Sequence, residues 1–325
     1  MSSPKSPNLS NKSSRAKIIV VVGPTASGKS ALAVTLALRL GSGQARRKFG
    51  VRGAEIISAD SRQVYRGMNI GSGKITRKEM HGVPNHLLDI ASPKRTFTAA
   101  QYQKLAQRAM LRILAKGKVP IICGGTGFYI DAALYEYALP DIPPNPKLRR
   151  ALEKKSAEEL FIKLHALDSA RAATIDRHNK RRLVRALEII HATGKPVPSR
   201  EEALKRTSPY DILKIGIAVP QKKLKANINK RLHVRIAQGM VAEVARLHRS
   251  GVSWRRLDGF GLEYRFVSRY LQGLLTKKEM LQELETAIRG YSRRQMTWFR
   301  KDRGIVWIGN AASAMKKMRT FLKAA

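Results

Sequence analysis

Cysteine is almost missing from this chain of 325 residues, where Cys123 stands alone. A single thiol excludes an internal disulfide and any Cys-x-x-Cys zinc site, and points to a reducing cytoplasm. Long apolar runs are missing too. None approaches the roughly 18 residues needed to cross a bilayer, and no apolar stretch follows the basic N-terminus as it would in a secretory leader. Neither a membrane nor an export role is therefore expected. Acids are scarce: 23 Asp and Glu stand against 63 Lys and Arg, a formal charge of +40 and a pI near 11.0. So positive a chain repels itself unless it meets polyanions. Its cations are spread along the whole sequence rather than gathered on one amphipathic helix, which favours nucleic acid over a membrane surface. Part of the excess is compatible with a merely solvated basic surface.

What is present begins with Gly23-Pro24-Thr25-Ala26-Ser27-Gly28-Lys29-Ser30, which fits the G-x-x-x-x-G-K-[ST] phosphate-loop pattern. The β-branched run Lys17–Val22 before it reads as a buried strand. Ala31–Leu40 after it is a strong helix former that stops at Gly41. In strand–loop–helix geometry, consecutive backbone N–H groups face one anion at the positive end of the helix dipole. Lys29 adds a mobile charge, and the Ser30 hydroxyl is placed to ligate Mg²⁺. The loop alone does not say that its polyphosphate is ATP.

Residues 1–16 hold serine, proline and basic residues without an acid, and read as a disordered tail. The Gly/Arg-rich stretch 41–53 is expected to be a mobile loop. Ala54–Ser58 is a second strand leading to Asp60. Thr98 to Gln101 has capping-box spacing and opens a helix to about Lys116. Val119–Cys123 is a third strand, with Cys123 a small core residue, and Gly124-Gly-Thr126-Gly127 follows. This alternation predicts an α/β fold, a parallel sheet flanked by helices, with ligands beyond the carboxyl ends of the strands. The phosphate loop, Asp60 and Thr126 should therefore converge. Prolines at 139–146 mark a boundary, after which helices at 147–167 and 181–191 suggest a small inserted helical domain. The expected organisation is a core of 17–140 and 211–325 with an insertion at 141–210. Leu213–Val219 returns to the sheet, 221–249 reads as one long helix, and Ile305–Ile308 as a last strand. Asp60, just past a strand end, suits either a general base or an ordinary loop or second-shell Mg²⁺ carboxylate; spacing alone does not decide between them.

The segments Gly23–Ser30, Ile57-Ser-Ala-Asp60-Ser61-Arg62-Gln63-Val-Tyr-Arg-Gly-Met68 and Gly124-Gly-Thr-Gly-Phe-Tyr129 resemble the tRNA dimethylallyltransferase family. So do Arg182-Leu-Val-Arg185, Gln238–Val244 and Arg293-Arg294-Gln295-Met-Thr-Trp298, and the set runs in the family's order over about residues 17–310. The resemblance implies a P-loop NTPase-like fold and transfer of a dimethylallyl group from dimethylallyl diphosphate to N6 of adenosine 37, in tRNAs reading codons that begin with U. It implies the isoprenoid diphosphate, with Mg²⁺ near Ser30, in the loop at 23–30, beside Lys29. It casts Asp60 as the base that takes the N6 proton and Thr126 as an active-site residue. It further implies tRNA contacts at Asp60, Ser61, Arg62, Gln63 and Thr126, at Arg149, Arg182 and Arg185 of the insertion, and at Arg289, Arg293, Arg294 and Gln295 near the C-terminus. A monomer binding the anticodon stem-loop in the cytoplasm is the expected form.

Three departures stand out. The 41–53 loop is long and basic for the family, Glu263-Tyr264 replaces the usual Gly-Tyr pair, and Arg293 stands where lysine is common. A P-loop kinase acting with ATP on a small molecule or nucleotide remains an alternative. So do an isopentenyltransferase for free adenine nucleotides and a non-enzymatic RNA-binding protein. The last would have no use for the phosphate loop and Asp60.

Overall fold

The computed structural model describes residues 15–135, 142–197 and 208–324. Strand and helix alternate from the start. β1 (Ala16–Val22) is followed by α1 (Lys29–Leu40), α2 (Gly43–Phe49), β2 (Ala54–Ser58), α3 (Arg77–Met80), β3 (Asn85–His86), α4 (Ala99–Ala115), β4 (Val119–Gly124) and α5 (Gly127–Leu134). Helices α6 (Pro146–Glu153), α7 (Ala157–Leu167), α8 (Ser169–Thr174) and α9 (Lys180–Thr193) come next. The chain then forms β5 (Tyr210–Ile217), α10 (Gln221–Ala237), α11 (Met240–Arg249), α12 (Trp254–Phe260), α13 (Leu262–Leu271), α14 (Lys277–Arg300), β6 (Ile305–Ile308) and α15 (Ala311–Lys323).

All pairings in the six-stranded sheet are parallel, in the order β3-β2-β4-β1-β5-β6. A parallel sheet is covered on both faces, so its central strands can be apolar throughout. β2 and β4 are buried along their whole length and β1 from Ile18 onward. Leu36 and Leu40 of α1 and Met318 and Leu322 of α15 join Ile19, Val21, Ile121 and Cys123 in one core cluster. Cys123 is thus the small core residue expected of it. Register matters for function: Val22 lies beside Gly124, and Ser58 beside Cys123. The three segments that leave β1, β2 and β4 therefore emerge level with one another.

The structure corrects three element readings. The 41–53 segment is not a loop throughout, because Ser42 caps α2 by accepting the Ala45 N–H and Gly50 closes it in the left-handed region. Phe49 and Val51 pack on the core and hold that short helix down. The 147–167 stretch is two helices, broken where Ser156 begins a capping box with Glu159. The 221–249 stretch breaks at Gly239, whose φ of 93° ends α10 and starts α11. β3, only two residues long, carries no hydrophobic pattern that could have announced it. The 1–16 tail lies outside the described residues up to position 14, and β1 already starts at Ala16.

The chain divides into two compact units, 1–97 with 104–130 and 209–325, and 98–103 with 131–208. The first contains the sheet. In the second, α6 to α9 enclose Leu152, Leu160, Leu164, Leu183 and Leu187. Among the described residues, no helix is long and apolar enough to cross a membrane.

Candidate active site

The phosphate loop is built as a backbone cradle. Gly28, with φ of 86°, stands at the N-cap of α1 and offers no side chain to the first-turn N–H groups. Those donors are left for an anion at the positive end of the helix. Ala26 also sits at positive φ, and the Asn227 side-chain amide donates to its carbonyl at 3.2 Å. The Ser27 hydroxyl is buried and has no hydrogen-bond partner among the described residues, a polar atom inside the loop left for a ligand to meet.

Lys29 folds back to donate to the Pro24 carbonyl at 3.2 Å. Burial holds its pKa below that of an ordinary lysine; Arg231 and Arg235 push the same way, against Cys123 and Asp60. Arg231 is depressed to about 10, first by burial and then by Arg235. Arg235 is neutralised by Glu263 at 2.8 Å. Lys29 and Arg231 have no acid within ion-pair reach among the described residues. Two half-buried cations with no acid partner among the described residues thus stand together, one of them at the start of α1, an arrangement suited to holding an anion.

Asp60 and Thr126 meet this cradle from the neighbouring strand ends. The Ala59 N–H donates to the Cys123 carbonyl at 2.8 Å, and the Thr126 N–H to the Ala59 carbonyl at 3.1 Å. The Ser61 N–H donates to the Thr126 hydroxyl oxygen at 3.2 Å. A Cβ at Gly124 would lie 2.1 Å from the Ala59 oxygen, so only glycine permits this approach. One carboxylate oxygen of Asp60 accepts the N–H groups of Arg62 (2.8 Å) and Gln63 (3.3 Å). Its other oxygen has no partner among the described residues and is available to a substrate proton. Gln295 of α14 joins the loops: its oxygen accepts the Thr25 N–H at 2.8 Å, and its nitrogen donates to the Gly125 carbonyl at 2.9 Å.

This geometry agrees with the comparisons. The family model described as IPP transferase matches residues 63–302. The chain belongs to the IPP transferase family. It is similar to the tRNA dimethylallyltransferase of Anoxybacillus flavithermus, 39% identical over 292 residues that cover 90% of this chain and 89% of that one. The Bacillus subtilis tRNA dimethylallyltransferase is 37% identical over 295 residues, 89% of this chain and 90% of that protein. The crystal structure of the Bacillus halodurans tRNA isopentenylpyrophosphate transferase, 34% identical, superposes with a TM-score of 0.68 over 95% of this chain and 96% of that one. As an IPP transferase, the chain has the P-loop NTPase-like fold expected from its sequence, and the kinase alternative loses its ground.

Other predicted residues of this IPP transferase are placed less simply. Gln295 is 6% exposed with both ends of its amide engaged, so it braces the two loops internally instead of presenting a surface. Arg62 donates to the Phe260 carbonyl at 2.7 Å, and Gln63 to the Gly73 carbonyl at 3.2 Å. In the helical unit, Arg149 and Arg185 close on buried Glu188, at 2.6 and 3.2 Å. Burial would raise that carboxyl, but the two arginines and the Asn145 N–H outweigh it and hold it low. Arg182 is exposed on α9, the helix that carries Arg185. On α14, Arg289 pairs with Glu285, Arg294 lies over the Tyr291 ring, and Arg293 is exposed.

Several contributors were missed in the sequence. Asn227, Arg231 and Arg235 recur every four residues, a spacing that puts them on one face of a helix, and this signal was readable. Tyr291, pushed up to about 12 chiefly by burial, hydrogen-bonds Thr126. Glu243 accepts the backbone N–H groups of Asn69, Ile70 and Gly71 together with the Tyr264 hydroxyl. At Glu263-Tyr264, where the sequence departs from the usual Gly-Tyr pair, Glu263 pairs with Arg235 and Tyr264 completes the cage around 69–72.

Proposed function

We propose that this protein transfers a dimethylallyl group from dimethylallyl diphosphate to N6 of adenosine 37 in tRNAs reading codons that begin with U, and releases diphosphate. The observation that supports this reading is the pair of half-buried cations, Lys29 and Arg231, which have no acid partner among the described residues and lie within electrostatic reach of Asp60, one of whose carboxylate oxygens has no partner among those residues. Backbone N–H groups of 23–30, Lys29 and Arg231 hold the diphosphate. As the N6–C1 bond forms, the C1–O bond breaks and its electron pair leaves on the diphosphate. The cationic cradle stabilises that developing charge. The open oxygen of Asp60 takes the N6 proton, which matters because an exocyclic adenine amine is a weak nucleophile. Thr126 orders the Asp60 segment through the Ser61 N–H.

Mg²⁺ fits this donor set. Ser30 offers one hydroxyl, and no cluster of three or more His, Cys, Asp or Glu suited to a metal occurs among the described residues. The remaining ligands would be substrate phosphate oxygens and water, the usual habit of Mg²⁺. When bound, the ion neutralises charge on the leaving diphosphate. Exposed Arg182 and Arg293 are the tRNA-facing cations in this reading, and the acceptor base is flipped from the anticodon stem-loop. A monomer suffices in this reading, since loop, base and threonine all belong to one unit of one chain.

The test is incubation with labelled dimethylallyl diphosphate, Mg²⁺ and an anticodon stem-loop carrying adenine or guanine at position 37. Label should enter only the adenine stem-loop. Label in neither RNA, or ATP γ-phosphate turnover in its place, would refute the reading.

A further inference from the structure

A second basic surface lies at the amino end of the sheet, away from the phosphate loop. β1 delivers the chain to that loop, and α1 carries it back over 12 residues, about 18 Å at 1.5 Å per residue. α2 and Arg52 therefore occupy the opposite end. α15 finishes there too, because Lys17 at the start of β1 donates to the Leu322 and Ala324 carbonyls. A groove of about 400 Å³ between α2 and α15 is lined by Lys48, Met315, Lys316, Arg319, Thr320 and Lys323. A neighbouring hollow is lined by Arg46 and Arg52.

Neither α2 nor α15 contains an acid. Arg46, Lys48, Arg52, Lys316, Arg319 and Lys323 are all exposed, and none forms an ion pair among the described residues. Glu55, which follows this end of the chain into β2, is already held by Lys116, Lys118 and His86. Lys316, Arg319 and Lys323 share one helix face, a cationic row of about 10 Å, with Lys48 on the opposite wall. A concave strip of unpaired cations concentrates positive potential. Its shape suits a linear phosphodiester chain. Membrane-surface helices, by contrast, bury large apolar side chains in the lipid boundary, and α2 and α15 expose none.

We propose that this groove binds the phosphate backbone of RNA, without base readout, at a place separate from the transfer site. The triple variant K48Q/K316Q/R319Q of the full chain tests it. The probe is oligo(U) of about 20 nucleotides, a length that spans single-strand sites of this kind and offers no adenine. The slope of log K against log salt should fall by about 2, from about 0.7 for each lost phosphate contact on a single strand. A control triple, R249Q/K277Q/K278Q, removes equal charge from exposed positions elsewhere and should leave the slope nearly unchanged. Catalytic efficiency on the anticodon stem-loop should be unaffected by the groove variant, since none of the three positions belongs to the transfer site. R319Q alone, with a smaller drop in slope, guards against misfolding of the triple. An unchanged slope, or an equal fall in the control, would overturn the proposal. So would lost binding to phosphatidylserine vesicles with RNA binding retained, or stem-loop efficiency falling in step with oligo(U) affinity.

Discussion

Replacing Glu243 by glutamine tests how the Asp60 region is held. The carboxylate is 1% exposed. One of its oxygens accepts the Asn69 and Ile70 N–H groups at 2.9 and 2.7 Å, and the other accepts the Gly71 N–H and the Tyr264 hydroxyl, both at 3.0 Å. Glutamine keeps a single acceptor oxygen. With that oxygen on Asn69 and Ile70, the new NH₂ group faces the Gly71 N–H, and only the phenol can turn to accept from it. One buried backbone donor is left unmet, at about 1–3 kcal/mol, and the surviving bonds lose their charge assistance. The expected loss is about 2–4 kcal/mol, a large share of the 5–15 kcal/mol typical of a domain. Urea unfolding should show an earlier midpoint with an unchanged slope. Turnover should fall as well, because the caged 69–73 segment supplies the Gly73 carbonyl that holds Gln63. Diphosphate affinity at 23–30 should persist. A variant as stable as wild type, or one that loses diphosphate binding in proportion to stability, would refute this reasoning.

Other expectations follow from the same contacts. Gly124→Ala places a Cβ 2.1 Å from the Ala59 carbonyl oxygen, so thermal unfolding should show a loss of at least about 1–3 kcal/mol, the range for overpacking. Lys29→Ala should weaken dimethylallyl diphosphate binding in calorimetry by about 10–100-fold, one charged hydrogen bond's worth, while ATP stays a poor ligand throughout. Burial would raise the Glu55 carboxyl, but Lys118, His86 and Lys116 hold it at about 2, below its ordinary 4.5. A depressed carboxyl stabilises the fold above its unfolded pKa, so this contribution should vanish as pH falls from 4.5 toward 2. Glu55→Gln should flatten that part of the stability–pH curve measured by denaturant titration.

The parts of the fold written locally were legible. A β-branched run, a glycine-rich octet and a helix former at 17–40 specify strand, loop and helix without help from elsewhere. Two further apolar strands, at 54–58 and 119–123, place Asp60 and Thr126 beyond parallel strand ends. Helix breaks were harder, because hydrophobic spacing passes smoothly across Ser156 and Gly239 while capping and a positive φ interrupt the backbone. The 41–53 helix was hidden by its composition; a serine cap and one docked phenylalanine outweigh weak propensity there. Least legible were the long-range partners. Gln295 reaches Thr25 across 270 positions and Glu243 reaches Gly71 across 172, and no local periodicity encodes such pairings. Arg149 and Arg185 are a further case. The resemblance marks both as tRNA contacts, and their shared pairing with buried Glu188 is a contact that no local pattern announces.

The most direct measurement is the single-turnover rate of dimethylallyl transfer by Asp60→Ala, with saturating donor and anticodon stem-loop RNA. Loss of the base should slow the chemical step by about 10²–10⁴-fold, with RNA and diphosphate affinities close to wild type. A wild-type rate in this variant would remove Asp60 from the proton transfer and contradict the account.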